Sequence, residues 1–228
     1  MLNQNPICVF DFETDSPNPS ECNPTQLSAV IIEPRKLEII KDSEFDSFIC
    51  PPTLEDENYF EEHKKTIAWH AGNMNNTPEQ VVNLWRNAPT EKDVFHTFLT
   101  YLSKYHKVTS RQSKFSAPIP CGHNINRFDM VIFRRLAQKY HEVDKQNDLK
   151  FFHPRDIIDT MSYLWGWMEN RQEPNSLAMD VLCPYLGLST KGAHNSLVDV
   201  KNSAQIFIRF LTYQRNVSKG TKFKNAFK

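Results

Sequence analysis

Four consecutive apolar residues, Ile7-Cys8-Val9-Phe10, run directly into Asp11-Phe12-Glu13-Thr14. An apolar run this short, with no polar alternation, reads as a strand buried on both faces at the centre of a sheet. Its end carries two carboxylates two positions apart. Residues two apart on a strand point to the same face, so Asp11 and Glu13 can reach one site. In α/β architectures, ligand sites favour such strand ends. The fold class expected is therefore α/β.

The remaining elements follow from pattern and punctuation. Leu27–Ile32 reads as a second strand. Residues 37–40 and 45–49 continue an antiparallel meander around a turn at 33–36. Thr77-Pro78-Glu79-Gln80 carries a helix cap, a first-position proline and a capping-box glutamine. Thr90 opens another helix, with Val94, Phe95, Phe98, Leu99 and Leu102 at helical spacing. Residues 118–122 form a short strand that enters the segment ending at Asp129, and a helix follows to Tyr140. Ile157-Ile158 is a short strand, with a helix after it through Trp165. Leu177–Leu186 is a helix closed by Gly187, with Pro184 as a possible kink. The last long helix runs from Ser196 to Phe210. No repeat and no linker divides the 228 residues, so 1–218 reads as one domain and 219–228, with four lysines, as a basic tail.

Bulk properties narrow the function. Lys+Arg and Asp+Glu both number 27, so the net charge is zero. A protein that coats nucleic acid passively carries a positive surplus. The five cysteines form no C-x-x-C pair and read as reduced thiols. No apolar run approaches transmembrane length, and the first strand begins too early to leave room for a signal peptide. A soluble, cytoplasmic protein with no membrane partner is expected.

Two further acids complete a constellation. Asp129 stands at a helix start after a short strand, from which a carboxylate can project across the end of the sheet. His194 and Asp199 lie five apart, a turn of about 500° on a helix, so they do not share a helix face. His194 is thus placed in the loop before the last helix, next to Gly192, and Asp199 in its first turns. A loop histidine that titrates near neutrality can take a proton from water. Asp11, Glu13, Asp129 and Asp199 could hold two divalent ions, which would support phosphodiester hydrolysis. Asp159 reads as a supporting acid. Trp69 could stack on an unpaired base, and Arg127 could touch a phosphate.

Asp11–Thr14, Gly122–Asp129 and His194–Asp199 together resemble the three motifs of the DEDD superfamily, the DnaQ-like 3′→5′ exonucleases. With His at 194 and Asn at 195, the chain is similar to the histidine subgroup. Its segments are similar to those of the bacterial exonuclease I and T-even phage exonuclease A families over residues 6–212. The resemblance implies an RNase H-like fold, a central mixed sheet flanked by helices. It implies two Mg²⁺ or Mn²⁺ ions on Asp11, Glu13, Asp129 and Asp199, with His194 as the base. Thr14, Phe12 and Asn124 join Trp69 and Arg127 as candidate substrate contacts. The expected activity is 3′→5′ release of nucleoside 5′-monophosphates from single-stranded DNA. Short RNA, a polymerase's mismatched end and a catalytically silent nucleic-acid-binding domain stay open as alternatives. The sequence names no protein partner.

Overall fold

The apolar run does form a strand, and that strand continues through the acidic motif. In a computed structural model that describes residues 5–106, 114–189 and 195–224, β1 spans Ile7–Thr14. The longer strand follows from its partner. β2, Pro24–Glu33, pairs antiparallel with β1 along its whole length, setting Asp11 opposite Ser28 and Glu13 opposite Gln26. Ser28 and Gln26 donate in turn to Asp46 on β4, Phe45–Phe48, at 2.6 and 2.8 Å. The polar residues therefore extend the ladder instead of ending it.

The sheet is mixed. β3 (Glu38–Ile39) and β4 both pair antiparallel with β2. β5 (Ile119–Gly122) runs parallel to β1, and β6 (Ile158–Asp159) parallel to β5. The order is β3-β2-β1-β5-β6, which puts β1 in the middle.

Helices cover both faces, which explains why β1 shows no polar alternation in its first half. Cys8, Phe10 and Phe12 enter one core, against α4 (Glu91–Ser103) and α5 (Asp129–Lys139). Ile7 and Val9 enter the other, against Val200, Ala204 and Phe207 of α8, Ser196–Gly220. Asp11 and Glu13 continue the alternation of Ile7 and Val9, so they fall on the α8 side.

Five shorter α-helices complete the described residues. α1 (Tyr59–Glu62) and α2 (Lys64–Met74) precede α3 (Pro78–Arg86). α6 (Thr160–Met168) follows β6, and α7 (Met179–Tyr185) includes Pro184. The expected capping box at Thr77 and Gln80 is present. α1 and α2 were not legible in the sequence. α8 extends ten residues past Phe210, where Arg215 donates to the carbonyls of Pro34 and Arg35 at 2.6 and 3.0 Å. His194, Gly192 and the last residues of the basic tail lie outside the described residues. Among the described residues, no helix is long and apolar enough to cross a membrane.

Candidate active site

The acids converge because backbone groups tie their segments together. Phe12 N–H, between the two acids of β1, donates to Asp129 Oδ1 at 2.9 Å. Asp129 is buried at the first position of α5, where the helix N-terminus favours a negative charge. Gly122 makes the approach possible. A Cβ there would lie 3.0 Å from the Phe10 carbonyl oxygen and 3.1 Å from Ile125. On the other side, the Ser196 hydroxyl donates to the Asp11 carbonyl at 3.0 Å. That bond brings the start of α8 to β1, with Asp199 in the first helical turn.

These contacts surround a cavity of ≈ 270 Å³. Asp11, Glu13, Asp129 and Asp199 all line it, together with Phe12, Asn124 and Trp69. Trp69, on α2, is 46% exposed. Two predicted contacts are elsewhere. Thr14 is buried, with its hydroxyl donating to the Ser16 carbonyl at 2.8 Å. Arg127 is exposed and is not among the lining residues. Asp159 caps α6, accepting from Met161 and Ser162, and its second oxygen accepts from Asn126 N–H.

The sequence reading missed part of the wall. His123, Met179, Asp180, Cys183, Asn202 and Ser203 also line the cavity. Asn202 and Ser203 could have been found, since they lie three and four residues after Asp199 on one helix. The α7 residues gave no such signal.

The electrostatics are those of crowded anions. Removal from water, then the charges of Asp129, Glu13 and Asp199, push the Asp11 pKa well above the usual carboxylate range, and only the Ser196 hydroxyl counters. Burial and the charges of Asp199 and Asp129 push Glu13 up to about 8. Burial raises Asp129 to about 7, even though the amides of Phe12 and of Asp129 itself pull it down. No Lys or Arg is found among the lining residues described. Such a donor set suits hard divalent cations, which take carboxylate oxygens and reverse the local charge. Among the described residues, no three of these side chains already meet as a closed ligand set.

The fold has known counterparts. It is similar to E. coli exonuclease I in complex with a dT13 oligonucleotide (TM-score 0.65, 15% identity, 95% of this chain and 43% of that one). Cell-death related nuclease 4 gives a TM-score of 0.61 at 17% identity, over 92% of this chain and 64% of that one. A 3′-exonuclease that recognises the histone mRNA stem-loop gives 0.59 at 15% identity, over 92% and 82%. This chain thus spans about two fifths of the exonuclease I structure, and at these identities the likeness is one of fold. No curated protein sequence matches it significantly. The exonuclease family model RNase_T matches residues 8–207, a stretch that carries all four cavity carboxylates proposed from the sequence. The chain belongs to the RNase_T family of exonucleases.

Proposed function

We propose that this exonuclease domain degrades single-stranded DNA from its 3′ end and releases nucleoside 5′-monophosphates. One observation carries the reading: carboxylates from β1, α5 and α8 line a single cavity whose described wall offers no cationic side chain. Asp11, Glu13, Asp129 and Asp199 would hold two divalent ions, Mg²⁺ or Mn²⁺. Ions so held would stabilise negative charge on the reacting phosphodiester. The protein's own share is positioning. The Asp129 bond to Phe12 N–H and the Ser196 bond to the Asp11 carbonyl fix the acids relative to each other.

His194 is proposed as the base that takes the proton of the attacking water. That role rests on chain order, since His194 stands two residues before Ser196. Trp69 offers an aromatic face to a terminal base and Asn124 offers polar groups, whereas the Phe12 ring is buried in the core on the opposite face of the sheet. An unpaired end suits such stacking, and the fold likeness to an exonuclease I bound to an oligonucleotide supports DNA. The likeness to the histone mRNA 3′-exonuclease keeps RNA as the second reading. The five free cysteines suit a reducing compartment such as the cytoplasm.

The test is a time course on 5′-labelled single-stranded DNA, duplex DNA and RNA of one sequence, with Mg²⁺, Mn²⁺ or EDTA. A ladder that shortens from the 3′ end, fastest on single-stranded DNA and absent in EDTA, is expected. Faster loss of RNA would transfer the reading to an exoribonuclease. Binding without shortening would make this a silent binding domain.

A further inference from the structure

His123 follows Gly122 at the end of β5 and lines the cavity, yet no step above uses it. Both ring nitrogens are engaged. Nε2 lies 2.7 Å from the Leu177 carbonyl oxygen, and Nδ1 lies 2.9 Å from Thr160 Oγ1. A carbonyl only accepts, so Nε2 carries a hydrogen. Thr160 Oγ1 also lies 3.1 Å from the Gly122 carbonyl, and its one hydrogen serves one acceptor at a time. In the neutral ring Nδ1 is the acceptor, so the hydroxyl turns to it. Burial holds the His123 pKa below its usual value, which favours the neutral ring.

These bonds join the end of β5, the first residue of α6 and Leu177, which stands two residues before α7. The contacts bridge 37 and 54 residues of sequence. α7 then presents Met179 and Cys183 to the cavity.

We propose that His123 is a positioning residue, a latch that holds the Leu177 carbonyl and so fixes α7 as the wall against which the terminal nucleotide is seated. The substrate part of this proposal rests on the exonuclease reading; the latch itself does not. The acids have their own anchors, Phe12 N–H and Ser196, and neither runs through His123. Loss of the latch should therefore loosen substrate binding and spare the chemical step.

His123→Gln can offer an N–H at the Nε2 position and reach Leu177. His123→Asn can satisfy Thr160 but is too short for Leu177. His123→Ala satisfies neither. In steady-state cleavage of a single-stranded oligonucleotide, Asn and Ala should raise KM about tenfold, the weight of one buried hydrogen bond, with kcat within about twofold. Gln should bring KM back to within about threefold of wild type. Amide hydrogen exchange across residues 177–185 reads the latch without substrate. It should quicken in Asn and Ala and stay near wild type in Gln. If Ala does not fold, the Gln and Asn pair carries the comparison.

Equal exchange in Gln and Asn overturns the latch. So does a fall in kcat at unchanged KM. A wild-type protein that cleaves nothing with either metal overturns the exonuclease reading, while the exchange result still decides the latch.

Discussion

Asp11, Glu13 and Asp129 are held where their charges are least welcome, and that makes the site readable by stability as well as by cleavage. Their folded pKa values are raised, Glu13 to about 8 and Asp129 to about 7. In the unfolded chain, carboxylates titrate near about 4. Between those limits the folded state binds more protons than the unfolded one, so stability falls as pH rises from about 4 to about 8. The metal-free melting temperature should decline across that window. Mg²⁺ or Mn²⁺ competes with protons for the same oxygens, so it should raise the melting temperature more at about pH 8 than at about pH 5. An equal shift at both values would place the ions away from these acids. Asp11→Asn removes one of the crowded charges. It should cut cleavage at least about a hundredfold by removing an electrostatic contact to the reacting centre. The same change should raise the metal-free melting temperature near pH 8 by about 2–4 °C, roughly 1 kcal/mol in a chain of this size. Loss of activity with a lowered melting temperature would mean that Asp11 supports the fold.

Helix α2 contributes one side chain to the cavity and is anchored for that purpose by its neighbours. His70 Nε2 donates to the Thr14 carbonyl at 2.8 Å, and His63 Nδ1 to the Asp15 carbonyl at 2.9 Å. Tyr59 donates to Asp15 Oδ2 at 3.0 Å. All three bonds end on the two residues that follow Glu13, so Trp69 is referenced to the strand that carries Asp11 and Glu13. Trp69→Ala should raise KM for single-stranded oligonucleotides about tenfold, the worth of one stacked base, and Trp69→Phe should recover most of it. A loss confined to kcat would remove Trp69 from base stacking. The same region marks where sequence reasoning stopped. α3 and α4 were legible because Thr77 and Thr90 announce them with caps. α2 was not, because its buried residues are only Ile67, His70 and Ala71, too few for an apolar stripe. The shared face of Asp11 and Glu13 followed from the strand period, but the true end of β1 depended on Ser28 and Gln26 across the ladder. The His123 contact with Leu177 joins residues 54 apart in sequence, and no local pattern encodes such a bond.

The whole molecule carries 27 cationic and 27 acidic side chains, and the cavity takes its share from the acidic side. On the proposed reading, with no Lys or Arg in the described wall, grip on a strand would come from stacking, from shape and from ions held by the carboxylates, with few direct cation–phosphate contacts. Each phosphate neutralised by a protein cation contributes about −0.7 to the slope of log K against log salt on a single strand. For this chain the slope should lie between zero and about −2, equivalent to at most about three phosphates. Anisotropy of a labelled oligonucleotide on Asp11→Asn protein, between about 50 and about 200 mM salt, measures it. A hold that weak would also set the mode of cleavage. A nuclease that neutralises few phosphates leaves its strand readily, so a time course with excess unlabelled trap should stop after few cuts. A slope steeper than about −4, with cleavage continuing through the trap, would demand a basic track on the surface beyond the cavity, where the lysines of residues 219–228 would be the first to replace.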